Sequence, residues 1–411
     1  MASDRRVAVV GMGLRSPVGN SLQEFVESLK RGRSGIRKMS DWERVRRLRT
    51  KVAGTCNIEG EEKGIPRNYR RSMGRVSILA ALSALDAVRQ SGLKDDEIAS
   101  PDCGISYGST EGSTIEQVDL IERFILNSDL TGALASSYLK CMSHTCAGNL
   151  SMLFHLQGPF IASCTACVSG SQGIGFGYEA IRSGKAEMMI TGGAEEMHFL
   201  HAAVFDLMLA TSSRHNDEPW KTPKPFDAER DGLVVAEGAG TLVLEEYQRA
   251  KRRGASILAE IQGFWTNASG VHLTDSDAAS IERCMRGALA DAGKNPEEIE
   301  YVNAHATATL NGDEAEAEAI YRVYGSHVPV TALKGYTGHT LGASGAIEAI
   351  ATVLMMREGF MAPTLNLENP DPHLPSLNHV MGSPVDRRFQ VAMNNNFAFG
   401  GINTGLILSQ V

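Results

Sequence analysis

Cys167 stands in Thr165-Ala166-Cys167-Val168-Ser169-Gly170, His305 in Asn303-Ala304-His305-Ala306-Thr307, and His339 in Lys334-Gly335-Tyr336-Thr337-Gly338-His339. Each occupies a turn rich in Gly, Ala and Thr, where small side chains let a ligand approach the backbone closely. A thiol can be acylated, and neutral imidazoles can donate hydrogen bonds to a thioester oxygen as enolate charge develops. These are the parts needed for carbon–carbon bond formation on thioesters, with a nucleophile made by decarboxylation. A single histidine on such a turn is ordinarily structural. Two of them, with Lys334 five residues before the second, form a pattern.

Residues 169–181 carry Ile174, Tyr178 and Ile181 on one face and predict a helix. Cys167 then lies at a strand-to-helix turn, where unpaired N–H groups and the positive helix end favour the thiolate. Glu348 is expected in the first turn of a helix beginning near Leu341, able to orient Lys334 or order water. Cys164-Thr165-Ala166-Cys167 also matches Cys-x-x-Cys, but no second such pair completes a zinc site. His144, His198 and His201 have no common metal-ligand spacing. Neither a metal nor a cofactor is expected. Gly11-Met12-Gly13-Leu14-Arg15-Ser16, directly after a strand, imitates a dinucleotide fingerprint. Its third glycine is a serine, Pro17 follows, and the acidic residue expected downstream is missing. Phe397 and Phe399, beside Gly400-Gly401, read as exposed residues on a mobile gate over a pocket, with core packing as the alternative.

The elements that must position these groups alternate. Strands are predicted at Val7–Val10, Gly104–Tyr107, Met188–Thr191, Gly240–Glu245, Ile257–Phe264, Ile299–Asn303, Val328–Thr331, Gln390–Asn396 and Gly405–Leu408, with helices between them. A helix opening at Ser77-Ile78 and ending at Ser91-Gly92 is echoed by one opening at Ser280-Ile281 and ending at Ala292-Gly293. Gly92 and Ile98 recur at Gly293 and Ile299, a constant offset close to half the chain. This implies a layered α/β fold of two related halves, 1–250 and 251–411, in one compact body.

The chain of 411 residues, 43% hydrophobic and 21% charged, has the make-up of a globular protein. It lacks an apolar run of the ~18 residues a membrane span needs. Met1 to Gly11 is too short in apolar core for a secretory signal. Seven scattered cysteines argue against a disulfide framework and fit a reducing cytoplasm. Net charge is −8, yet Lys30–Arg75 holds 15 Lys and Arg against 5 Asp and Glu. That segment reads as a docking surface for an anionic partner or as a solvated face. No nucleic-acid recognition motif accompanies it, so nucleic acid is not expected.

The three motifs, the Asn396–Asn403 loop, and Lys224-Pro225-Phe226-Asp227-Ala228-Glu229-Arg230-Asp231-Gly232 before Glu237-Gly238-Ala239-Gly240 resemble the elongating β-ketoacyl-acyl-carrier-protein synthases over essentially the whole chain. The resemblance implies the thiolase fold, a five-layered α/β/α/β/α body with two pseudo-symmetric halves. It also implies a dimer, homomeric or paired with a ketosynthase-like subunit, and an acyl carrier protein as partner. By position, Cys167 would be the acylated nucleophile, His305 and His339 would drive malonyl decarboxylation, and Lys334 and Glu348 would support them. Backbone N–H groups of Cys167 and Phe399 would form the oxyanion hole, with Phe399 gating the acyl pocket. Thr307 and Thr309 would contact the phosphopantetheine arm, and the basic segment would meet the acidic carrier.

Ala306, Ala308, Leu310 and Ala398 depart from the family pattern, Ala398 replacing a glycine and stiffening the gate. The loop looks more like that of aryl-polyene-type ketosynthases. Two rivals remain: a non-catalytic chain-length-factor-like partner, which typically lacks the cysteine, and a non-decarboxylating thiolase, which usually pairs one histidine with a second cysteine.

Overall fold

The structure is a computed structural model that describes residues 5–131, 134–271, 274 and 276–411. Met1–Asp4, part of the start read above, lie outside the described residues. Among the described residues thirteen strands are formed: β1 Val7–Arg15, β2 Ile36–Lys38, β3 Val52–Gly54, β4 Cys103–Gly108, β5 Phe160–Ser163, β6 Met188–Glu195, β7 Gly238–Glu246, β8 Ala259–Ala268, β9 Tyr301–Ala304, β10 Pro329–Ala332, β11 Asn378–His379, β12 Val391–Ala398 and β13 Ile402–Ser409. The helices used below are α1 Arg75–Ser91, α2 Thr114–Ile121, α3 Ser169–Arg182, α4 Phe199–Leu207, α5 Ala278–Ala292, α6 Leu310–Tyr324 and α7 Ser344–Glu358.

Eleven strands share one sheet in the order β11-β10-β9-β12-β13-β8-β1-β7-β6-β4-β5. Read outward from the centre, β1-β7-β6-β4-β5 matches β8-β13-β12-β9-β10 strand for strand. The polarities match too. β4 runs parallel to β5 and β6, as β9 does to β10 and β12, while β7 and β13 are antiparallel to both of their own neighbours within each half. The halves join where β1 pairs antiparallel with β8.

Helix ends explain the repeat seen in the sequence. Gly92 and Gly293 terminate α1 and α5 in the left-handed region, at φ 66° and 63°, where glycine carries no Cβ penalty. α1 packs on β1 and β7, and α5 on β8 and β13. Both contacts are backbone-close. A Cβ on Gly11 would come 2.1 Å from the Ala87 carbonyl, and one on Gly263 2.6 Å from that of Ala288, again 201 residues on. The Gly-x-Gly at residues 11–13 therefore lies inside β1 rather than after a strand, and it serves helix packing. Between the halves lie α3 and α7, which touch each other and strands of both sides. Ser344–Met356 of α7 are buried all round, as expected of a helix with no solvent face. The layers are therefore α1, strands, α3 with α7, strands, and α5 with α6.

The short β2, β3 and β11 went unread in the sequence, and β5, only four residues long, was implied by the turn at Cys167 without bounds. Among the described residues, no helix is long and apolar enough to cross a membrane. All seven cysteines are free.

Candidate active site

The site gathers at the carboxyl ends of β5, β9, β10 and β12, where α/β sheets present their crevices. Cys167 lies on a 3-10 turn, Ala166–Val168, between β5 and α3. Its neighbour Ala166 holds φ 50°, left-handed backbone that a non-glycine residue adopts only under strain. His305 directly follows β9. Lys334 opens a single helical turn after β10, and Gly338, at φ 71°, swings the chain round to His339.

His339 Nε2 is 2.9 Å from Cys167 Sγ. The rings of His305 and His339 meet edge to face with centroids 5.1 Å apart. All three residues are buried, and all line a cavity of about 740 Å³. Lys334, fully buried, pairs with Glu348 Oε1 at 2.6 Å and also donates to the His305 carbonyl. Glu348 is the fifth residue of α7, one turn deeper than expected, and it orients Lys334.

This network fixes the state of His305. Lys334 Nζ and Asn396 Nδ2 each lie 3.2 Å from His305 Nδ1, and both are donors only. Nδ1 must therefore accept, leaving the ring proton on Nε2. Asn396 is itself held, donating to Glu348 Oε2 at 2.6 Å and accepting from Ser171 and Asn394. Cys167, His305 and His339 place their ligand atoms within 4.8 Å of one another, a spacing a soft metal could use. The fixed tautomer puts a proton where such an ion would need a lone pair, so the residues do not fit a metal.

Burial, with Lys334 adding to it, holds both imidazoles well below their usual value, so they are neutral. Burial also pushes the Cys167 thiol up to about 12, against the pull of Lys334. Desolvation thus opposes the thiolate expected at the helix end, and the thiol is held beside a neutral imidazole.

The remaining residues fall around this centre. Phe397 is buried, edge-on to His305 at 5.9 Å, and forms wall rather than the exposed gate expected. Phe399 is half-buried against Phe205, ring centroids 5.3 Å apart, and lines the cavity. Gly400, exposed at φ 93°, turns the chain between β12 and β13. Thr307 and Thr309 line the cavity, their hydroxyls 3.0 Å apart. His201 contacts Glu111 and Thr114, and His198 caps α4.

Four contributors went unread: Asn396, Ser344, Asp313 and Glu316. Ser344 Oγ is 3.4 Å from His339 Nδ1. Glu316 accepts from the N–H groups of His305 and Ala306, and Asp313 from those of Ala308 and Phe226. Both acids project from α6 and cap the catalytic loop from below. Their spacing, three residues apart after Thr309, is the signal that could have found them.

Residues 4–250 match the family "Beta-ketoacyl synthase, N-terminal domain" and residues 258–368 match "Beta-ketoacyl synthase, C-terminal domain". The chain belongs to the β-ketoacyl synthase family. It is 34% identical over 407 residues to 3-oxoacyl-[acyl-carrier-protein] synthase 1 of Haemophilus influenzae, covering 99% of each. Among solved structures it is similar to a beta-ketoacyl synthase from Burkholderia phymatum STM815, with TM-score 0.96 and 44% identity over 99% of this chain and 100% of that one. It is also similar to the ishigamide ketosynthase/chain length factor, with TM-score 0.92 and 30% identity over 99% of each chain. The fold is the thiolase fold of these ketosynthases, and the activity is that of an acyltransferase, a β-ketoacyl-[acyl-carrier-protein] synthase that elongates an acyl chain.

Proposed function

We propose that Cys167, His305 and His339 carry out a decarboxylating Claisen condensation in two stages. In the first, Cys167 Sγ attacks an acyl thioester as its proton passes to His339 Nε2. The carrier's thiolate leaves and takes that proton. In the second, malonyl-carrier protein loses carbon dioxide. The carbon–carbon bond then forms between the resulting enolate and the acyl carbon, and the bond to Sγ breaks with its electron pair staying on sulfur, which takes a proton from water to restore the thiol. His305 Nε2–H donates to the enolate oxygen, and the N–H groups of Cys167 and Phe399 serve the tetrahedral oxyanion. The observation that carries this reading is the fixed tautomer of His305 beside a thiol already 2.9 Å from His339.

Thr307 and Thr309 are assigned to the phosphopantetheine arm. The partner is an acyl carrier protein, and Arg214 on the cavity rim suits its acidic surface. Part of the basic segment is tied internally, Lys30 to Glu358, Lys38 to Asp217, Arg49 to Asp206 and Arg75 to Glu237, while exposed residues such as Arg44, Arg46 and Arg47 are offered for docking. The working unit is a homodimer built on β5, the outermost strand. Phe160 on that strand is exposed, and Ile125, Leu126, Leu130 and Tyr138 are exposed large apolar residues elsewhere in the same half. A ketosynthase-like second subunit would use the same face. The halves are read as 1–250 and 251–411, and the free thiols suit the cytoplasm.

Intact-mass measurement after incubation with acyl-carrier protein tests the reading. The native chain gains one acyl group on the peptide bearing Cys167, and the Cys167→Ala protein gains none. Covalent acylation of the alanine variant would overturn it.

A further inference from the structure

Glu195 ends β6 with its side chain wholly buried, and neither stage of the reaction uses it. Its Oε2 accepts from Thr110 N at 3.1 Å and Gly342 N at 3.2 Å. The first donor is in the loop after β4. The second lies in the 3-10 turn Leu341–Ala343, three residues beyond His339. Glu195 therefore ties the half that carries the nucleophile to the turn that follows the histidine. That turn is tightly held: Leu341 has φ 46°, and a Cβ on Gly342 would lie 2.6 Å from Thr110 N and 3.0 Å from Glu195 Oε2. The other carboxylate oxygen, Oε1, is buried with no hydrogen-bond partner. A charge on it would be uncompensated, and burial pushes this carboxyl up to about 7.

We propose that Glu195 is a positioning residue of the condensation site: it clamps the His339 turn against the Cys167 half, and its buried, unpartnered Oε1 sets how much negative charge stands near the thiol. This rests on the reading of Cys167 as nucleophile. The groups that face Glu195 are His201 of α4 with its partner Glu111, the neighbouring Glu196, Cys146 and Cys167. Among these, His201 is the one that favours an ionised Glu195, and ionisation makes the Cys167 thiol harder to deprotonate.

The test measures iodoacetamide alkylation of the Cys167 peptide across pH, with kcat and KM for condensation alongside, in native, Glu195→Gln and Glu195→Ala proteins. Glutamine keeps an acceptor but cannot ionise. The native and Glu195→Gln profiles coincide on the acid side of about 7. On the alkaline side the variant alkylates roughly threefold to tenfold faster, the change made by half to one pKa unit. Glu195→Ala loses the clamp, and its kcat falls by about a hundredfold with KM little changed. If Glu195→Ala does not fold, the Glu195→Gln profile decides alone. Superimposable native and glutamine profiles on both sides of about 7 would overturn the proposal. A native protein that alkylates as expected but never acylates at Cys167 would instead overturn the functional reading.

Discussion

Lys334 Nζ lies 3.2 Å from His305 Nδ1 while bridging to Glu348 Oε1 at 2.6 Å, so one ammonium group both neutralises a buried carboxylate and sets an imidazole tautomer. The proton of His305 is thereby directed at the cavity. A lysine in this position acts on the reaction through the ring rather than by touching substrate.

Replacing it separates these effects. Lys334→Ala leaves Glu348 buried without its cation, a change that costs about 3–5 kcal/mol of stability. Decarboxylation of malonyl-carrier protein falls by about 10²- to 10⁴-fold, the worth of a well-placed acid or base. Acylation of Cys167, which depends on His339, changes less. Chemical denaturation and a carbon dioxide release assay read the two effects.

The histidines should divide the reaction between them. His339→Ala slows acyl transfer to Cys167 by about 10²-fold or more, because the thiol loses the base at 2.9 Å. His305→Ala leaves acyl transfer nearly intact and removes condensation. Single-turnover acylation followed by mass spectrometry distinguishes them. Equal loss of acylation in both variants would contradict the assignment.

Glu316 gives stability a pH signature. Burial raises its carboxyl from 4.5 to about 8. The native state therefore holds a proton that the unfolded chain releases, and the stabilisation present below 4.5 is lost as pH rises to about 8. Glu316→Gln cannot ionise, and its oxygen can still accept from one of the two N–H groups. Its Tm should decline less than the native Tm across that window, as followed by thermal unfolding at a series of pH values.

The apolar face beside β5 should govern self-association. Phe160→Asp places a charge on the exposed outer strand, and Ile125→Asp places one on an exposed apolar residue of the same half. Each variant should sediment as a monomer where the native chain sediments as a dimer. Unchanged sedimentation of both variants would remove this face as the interface.

The sequence disclosed most of the centre because the chemistry constrains residue type locally. Cys167, His305, Lys334 and His339 each lie on a turn whose small neighbours are visible without a structure, and the Gly92/Gly293 recurrence marked the two halves. Thiol protonation was not legible. A helix end is a local feature, but desolvation of Cys167 depends on Phe205, Leu233, Val235 and Leu341, which pack around it from distant segments. The purpose of Gly11 was hidden for the same reason, since the Ala87 carbonyl that demands a glycine there lies far along the chain. Asn396 passed as part of an asparagine run, because its value comes from partners on three other elements.

Among the described residues, three ladder pairs, Val7 with Ile261, Ala8 with Glu260 and Val9 with Ala259, join one half of the sheet to the other. Cys167 comes from one side of that seam and both imidazoles from the other. A slip of β1 along β8 would therefore draw the sulfur away from the ring 2.9 Å from it, so the register of three backbone pairs guards the spacing of the reacting atoms.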